Sequence, residues 1–258
     1  MRLSLIKSTW LDKYRQVQPI SIQKHFNKLR SRQDQADAYG YALAQASVYS
    51  SMIEGNHIDL ESYLRFSSTG LNTKSKSFRE IEDLRAAYQF ARQHMLSRST
   101  FLSAHELSTQ TILEEDKYRG SLRNKPVYIY SGQERIYTGA DVLILAEVFE
   151  QFFRDVDILL DRELSMTECF YFAAFIHLVF VKIHPFADGN GRSARLLEKW
   201  FLASRLGEMA WFIESEKLYQ RRIRSYYKHL SIGDRYENVD YSLAMPFLKM
   251  LPMALTAK

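Results

Sequence analysis

At 258 residues, 46% of them hydrophobic and 25% charged, the chain has the composition of an ordinary soluble protein and enough length to bury a real core. Ten glycines and five prolines are too few for long strand-and-turn architectures, which leaves helix as the default. The single cysteine, Cys169, excludes an intramolecular disulfide framework and a cysteine-cluster metal site, and a net charge of +5 spread along the chain singles out no partner.

In chain order, the N-terminal MRLSLIKSTWLDKYRQ holds no apolar core of signal-peptide length before its charges begin, so a cytoplasmic protein is expected. A helical stretch covers Ala36 to Ile53, and Gly55 suits its end. Ser77 to Ser97 places Ile81, Leu84, Tyr88, Ala91 and Met95 on one stripe at helical spacing. Ser103-Ala104-His105-Glu106 reads as a capping box that opens the next helix. Lys125 to Gly139 breaks the pattern. It alternates around Val127 and Ile129, turns at Ser131-Gly132 and continues through Ile136 and Tyr137, which predicts a short β-hairpin leaning on helices, with an edge free to pair.

Helix resumes over Gly139 to Leu160, with apolar residues at Val142, Leu145, Val148, Phe149 and Phe152. Ser165 to Glu168 is a further capping box, opening the apolar run Cys169 to Val181. That run has thirteen residues, contains His177 and is followed by Lys182, which is short of the roughly 20 needed to span a bilayer. A buried core helix is expected, with an inert thiol at Cys169, a packed and hydrogen-bonded His177, and no membrane partner. Asn190 to Leu206 is helical and stops at Gly207, and stretches about Ser215 to Ile232 and Tyr241 to Leu255 close the chain. We divide it into an N-terminal helical region, residues 1–100, and a core with C-terminal helices, residues 101–258.

The chemistry concentrates in HPFADGNGRSAR, His184 to Arg195. Pro185 disfavours helix at His184 and pushes that residue towards extended conformations, so the preceding helix stops near Ile183. Asp188-Gly189-Asn190-Gly191 permits unusual backbone angles and close approach of a ligand. A glycine-bearing loop thus feeds a helix mouth whose free N–H groups and dipole favour an anion. Arg192 and Arg195, three apart, share one helix face and can grip phosphate oxygens. Asp188 is a hard ligand suited to Mg²⁺ on a phosphate, and His184 is placed as a general base. Phe186 is expected to point into the core and fix the loop.

This segment fits, at every fixed position, the motif H-x-F-x-[D/E]-G-N-G-R-x-x-R, and the chain resembles Fic-domain proteins from about Ser103 to Gly207. The resemblance implies an all-α Fic fold, a helical bundle with a short β-hairpin flap over the active site. It implies a protein adenylyltransferase that moves AMP from ATP to a Ser, Thr or Tyr hydroxyl of a target protein. On that basis His184 deprotonates the hydroxyl, Asp188 holds Mg²⁺, and Gly189, Asn190 and Gly191 form the anion hole. Arg192 binds phosphate and Arg195 reaches the terminal one, while Tyr226 or Tyr227 lies near the adenine. The flap, through Val127, Ile129 and Tyr137, docks the target segment main chain to main chain. Self-association into a homodimer is also implied.

A second resemblance lies upstream. Ser50-Ser51-Met52-Ile53-Glu54-Gly55 matches the inhibitory pattern [S/T]-x-x-x-E-[G/N] of the same family, which implies that Glu54 pairs with Arg195 and keeps ATP unproductive. The same glutamate helps remove AMP in some relatives, so a bifunctional enzyme is an alternative, as are another nucleotide donor and a closed interaction module. Arg221, Arg222 and Arg224 with Tyr226, Tyr227 and Lys228 make a basic, aromatic-bearing helix. No recognised docking motif accompanies it, and nucleic acid is not expected as a partner.

Overall fold

The computed structural model describes residues 3–30, 37–71 and 73–256. Two short helices, α1 (Leu11–Gln16) and α2 (Ile22–Asn27), precede α3 (Ala38–Ile53), and the expected start of α3 at Ala36 lies outside the described residues. α3 ends at Glu54, with Gly55 beyond it at φ 93°, a conformation open to glycine. Asp59 caps α4 (Leu60–Thr69) and Ser75 caps α5 (Lys76–Gln93), each side chain accepting from the backbone N–H three residues on. On α5 the predicted stripe buries Ile81, Leu84, Tyr88 and Ala91, but Met95 lies past the helix end and is 86% exposed.

The next helix, α6 (Arg98–Ser108), corrects a capping assignment. Its box is Ser97 with Thr100, not Ser103 with Glu106: Ser97 Oγ accepts from Thr100 N–H at 3.2 Å and Thr100 Oγ1 accepts from Ser97 N–H at 3.0 Å. Starting there puts Phe101 and Ala104, both buried, within the helix, whereas the later box would have left Phe101 outside it and Ala104 at its first position. Strands β1 (Tyr128–Ser131) and β2 (Glu134–Thr138) form the antiparallel hairpin, Ile129 opposite Tyr137, with a bulge between Ile129 and Tyr130 and a turn at Gly132.

α7 (Val142–Asp161), α8 (Met166–Ile183) and α9 (Asn190–Leu206) follow, and the Ser165–Glu168 capping box opens α8 as predicted. The expected helix from Ser215 to Ile232 is two pieces, α10 (Ser215–Arg221) and α11 (Ile223–Leu230), broken where Arg222 leaves helical angles at φ −111° and ψ 36°. The expected last helix is a 3₁₀ turn, Tyr241–Leu243, then α12 (Met245–Leu248) and α13 (Met250–Met253). Pro246 and Pro252 bring no N–H to a helical ladder, so only single turns form.

α8 carries buried residues on every face. Its length and composition would suffice to cross a membrane, yet in this fold it is the central helix, packed on by α1, α2, α7, α9, α12 and α13. Cys169 sits there as a buried free thiol. The core joins Ile6, Tyr14, Phe26 and Leu43 to Phe153, Trp200 and Phe247 without a break. A smaller cluster of Ala44, Val48, Tyr63, Phe78 and Ile81 seats α3 on α4 and α5. Held between the two clusters, α3 has its C-terminal end fixed in position.

Asp155 on α7 ties the N-terminal segment down. Its buried carboxylate accepts from the backbone N–H groups of Ser4, Leu5 and Ile6 at 2.6 to 3.0 Å. Asp155→Ala strands those donors, so urea unfolding is expected to show a loss of about 2–4 kcal/mol, the scale of charge-assisted bonds to buried groups. A loss below about 1 kcal/mol would show that water replaces the carboxylate.

Candidate active site

The loop from His184 to Gly189 joins α8 to α9. Pro185 ends α8 as expected, but His184 is not extended: it takes φ 53° and ψ 60°, and its N–H donates to the Phe180 carbonyl at 3.0 Å. A left-handed non-glycine residue costs about 1–2 kcal/mol, and its neighbours hold it there. Arg123 Nε donates to the His184 carbonyl at 2.8 Å, Arg123 Nη1 to Lys125 O at 2.9 Å, and Arg123 Nη2 to Ala140 O. One guanidinium therefore ties the loop to both stems of the hairpin.

Phe186 is fully buried among Phe101, Phe149, Phe180 and His105, as its place in the motif predicts. The Asn190 side chain closes the loop from below. Phe186 N–H donates to Asn190 Oδ1 and Asn190 Nδ2 donates to Phe186 O, both at 2.9 Å. Gly189 has φ 77°, and a Cβ there would stand 2.9 Å from Thr109 Cγ2, so glycine is needed twice over. His105, also buried, accepts from Gly120 N–H at Nδ1, which leaves Nε2–H to donate to Asp188 O at 3.0 Å. Burial pushes its imidazole down to about 4, so it pins the Asp188 backbone as a neutral group.

His184 is half-buried, with Nδ1 at 3.2 Å from the Val181 carbonyl, so Nδ1 carries the proton and Nε2 is the free base. Enclosure by protein pushes the imidazole down to about 4; the Arg123 and Lys182 charges act the same way, against the Val181 hydrogen bond and Glu54. At neutral pH it is a proton acceptor.

Arg195, 1% exposed, is enclosed by acceptors. Nε donates to Ser50 Oγ at 2.8 Å, Nη1 to the Tyr226 hydroxyl at 3.2 Å, and Nη2 to Ser50 O at 3.1 Å and Glu54 Oε1 at 2.7 Å. Burial alone would lower its pKa, but Tyr226 and the Glu54 carboxylate hold it above the ordinary range. The predicted Glu54–Arg195 pair is thus formed in the structure. A Cβ on Gly191 would overlap the same Glu54 carboxylate, which therefore lies across the mouth of α9.

A cavity of about 700 Å³ opens at this junction, walled by Glu54, His184, Asp188, Gly191, Arg195 and the hairpin. Imidazole, helix mouth and guanidinium all face one space of the size that takes a nucleotide.

Residues 95–202 of the chain match the Fic/DOC family. This segment is a Fic domain. Over 152 residues, 56% of the chain, the protein is 34% identical to protein adenylyltransferase fic-1 of Caenorhabditis briggsae, of which the match covers 29%. Over 230 residues, 82% of the chain, it is 26% identical to protein adenylyltransferase Fic of Aedes aegypti, covering 43% of that protein. The chain therefore spans less than half the length of these named relatives. A Fic family protein from Desulfovibrio desulfuricans G20 superimposes with a TM-score of 0.76 at 18% identity, covering 99% of this chain and 74% of the other, a likeness of fold.

Within the Fic domain, one position departs from expectation. Arg192 does not share the cavity with Arg195: it is 5% exposed and turns to Glu80 of α5 at 3.3 Å, while its Nε and Nη1 find no partner among the described residues. A spacing of three on a helix leaves about 60° between side chains, enough for the two guanidinium groups to follow different carboxylates. Tyr137 directs its side chain inward. It is 4% exposed, its hydroxyl donates to the Lys182 carbonyl at 2.6 Å, and the Lys182 ammonium lies over its ring at 4.2 Å. Its side chain anchors the Fic hairpin to α8, and it lines the cavity together with Val127 and Ile129.

Both tyrosines of α11 line that cavity too. Tyr226 is buried with its hydroxyl committed to Arg195, and Tyr227, 49% exposed, donates to Ile53 O at 3.0 Å. Arg123, His105 and Glu80 were not singled out from the sequence. They act through backbone carbonyls or through the motif arginine from distant elements, and no spacing pattern announces such contacts.

Proposed function

We propose that the chain is a protein adenylyltransferase that moves AMP from ATP to a Ser, Thr or Tyr hydroxyl of a target protein, and that Glu54 on Arg195 holds it off. One observation carries this: the His184 imidazole, the open mouth of α9 and Arg195 meet in a single cavity, with Glu54 inserted among them. Fic relatives named adenylyltransferases support the same activity class.

His184 Nε2 takes the proton of the target hydroxyl. The hydroxyl oxygen then bonds to the α-phosphorus, the bond from that phosphorus to the bridging oxygen breaks, and pyrophosphate leaves. The backbone N–H groups of Asn190 and Gly191 receive the phosphate charge, beside the Gly189 N–H that Asp188 already engages. Arg195, once free of Glu54, holds the terminal phosphate. Asp188 fits a single-carboxylate site for Mg²⁺: it is exposed to the cavity and only its Oδ1 is engaged, by the Gly189 N–H at 2.6 Å. No cluster of three ligating side chains occurs among the described residues, so the phosphates would complete the coordination. A bound Mg²⁺ would neutralise charge on the phosphates.

Among the described residues, no strand pairs with the outer edge of β1. At Thr138, β2 is covered by Asp234, whose carbonyl accepts from Thr138 N–H at 2.9 Å, and by a bridge to Arg235. A target segment would therefore add to β1 beside Val127 and Ile129.

Intact-mass analysis tests the proposal: one added AMP on target or self, appearing with Glu54→Gly and absent with His184→Ala. A pH profile tests the base. Because the His184 pKa is depressed, the active deprotonated form is present throughout neutral pH and is lost only as pH falls towards about 4. The kcat/KM of Glu54→Gly is therefore expected to stay level from pH 8 to about 5. A midpoint near 6.5 would show that the imidazole ionises as an ordinary histidine.

A further inference from the structure

Of the acceptors around Arg195, Ser50 Oγ, Ser50 O and Glu54 Oε1 all belong to α3 or its cap. Glu54 must leave for the site to open, whereas Ser50, on the fixed end of α3, goes on holding Nε and one N–H of Nη2. The acceptor that faces Nη1 is the Tyr226 hydroxyl, on α11 across the cavity. We infer that Tyr226, oriented by the buried pair His177–Glu198, is the positioning residue that keeps Arg195 aimed at the terminal phosphate when Glu54 withdraws, and so sets affinity for a nucleoside triphosphate over a diphosphate.

Proton counting fixes the direction of every bond in this chain. Arginine only donates, so the Tyr226 oxygen accepts from Arg195 Nη1–H. The Tyr226 proton must then go elsewhere, and His177 Nε2 stands 2.9 Å away. That nitrogen therefore offers its lone pair, and the imidazole proton sits on Nδ1, 2.8 Å from Glu198 Oε2. The same carboxylate oxygen also accepts from the Tyr219 hydroxyl at 2.9 Å. A proton on Nε2 would leave the Tyr226 proton with no acceptor. All four side chains behind Arg195 are at most 1% exposed, so no solvent molecule substitutes freely for a missing member.

The consequence is an asymmetric clamp. Tyr226 cannot rotate its hydroxyl proton towards Arg195, because His177 holds that proton on the far side. The arginine thus keeps one preset acceptor on the catalytic side of the cavity in the closed and in the released state. A free guanidinium on a flexible side chain would lose part of its phosphate affinity to ordering entropy; one already held loses less.

The inference rests on the proposed nucleotide function, and the experiment separates the two. In the full chain carrying Glu54→Gly, calorimetric binding of ATP and of ADP is measured with Mg²⁺ for the parent, Tyr226→Phe, His177→Phe and His177→Gln. Tyr226→Phe preserves the ring and removes only the hydroxyl; it is expected to weaken ATP about tenfold, as loss of a hydrogen bond to a charged group does, and to leave ADP within about twofold. His177→Phe is expected to match it, and His177→Gln, whose amide oxygen can take the Tyr226 proton, to restore ATP binding towards the parent. Equal weakening of ATP and ADP would overturn the inference, since that is general damage to the pocket, as would unchanged ATP binding by Tyr226→Phe. If His177 variants unfold in a thermal melt, Tyr226→Phe alone decides. A parent that binds neither nucleotide overturns this inference together with the function beneath it, whereas tight ATP binding indifferent to Tyr226 overturns the clamp alone.

Discussion

Glu54→Gly is expected to raise ATP-dependent adenylylation at least tenfold, with self-modification rising alongside. The Glu54 carboxylate does two things at once in the closed site: it neutralises Arg195 at 2.7 Å, and it occupies the space in front of Gly191 where phosphate would meet the helix mouth. A carboxylate in that place repels phosphate as well as withholding its partner, and either effect alone is worth about 1 kcal/mol or more in a sheltered site, close to the 1.4 kcal/mol that corresponds to tenfold. Stability should fall modestly. Glu54 caps α3 at φ −89° and ψ 12°, angles glycine adopts freely, but Arg195 is 1% exposed. Losing the half-exposed carboxylate therefore leaves a buried guanidinium on Ser50 and Tyr226 alone and costs about 1–3 kcal/mol. Labelling is measured by intact mass at saturating ATP, and a rate equal to wild type removes Glu54 as the brake.

In that released background, His184→Ala should lower the labelling rate on the order of 10²-fold or more, the scale of a positioned general base. The substitution deletes the only imidazole facing the cavity among the described residues and leaves its framework in place. The strained turn is held by the His184 carbonyl and by Pro185, both of which the variant keeps. ATP affinity should therefore stay within about threefold, so that the loss falls on kcat rather than KM. Labelling within about threefold of the parent would take His184 out of proton transfer and leave only a structural part for it.

Much of the fold was legible because the signals were local. The Ser165–Glu168 capping box, the apolar run after it, the stop at Pro185 and the glycine at position 207 each depend on a few adjacent residues, and each lies where expected. The hairpin declared itself by alternation and by Gly132 at its turn. Competition between signals was harder to read. Ser97–Thr100 and Ser103–Glu106 are both plausible helix starts, and the burial of Phe101 and Ala104 decided for the first. The C-terminal stretches looked continuous by periodicity, but the angles at Arg222 cut the first into two short helices, and Pro246 and Pro252 reduce the second to single turns.

The sequence by itself determined the chemical inventory: an imidazole, an acidic and glycine-bearing loop, and arginines at the mouth of a helix, within twelve consecutive positions. Local spacing suffices for that, since backbone angles and helix periodicity are set by near neighbours. Only the tertiary structure decided which arginine faces the cavity, because Glu80 on α5 draws Arg192 away while Ser50, Glu54 and Tyr226 enclose Arg195. It alone decided that His184 sits in a left-handed turn under Arg123 and that Tyr137 faces inward. Those outcomes depend on charges and carbonyls brought together from residues many tens of positions apart, and the free energy of such encounters has no local signature.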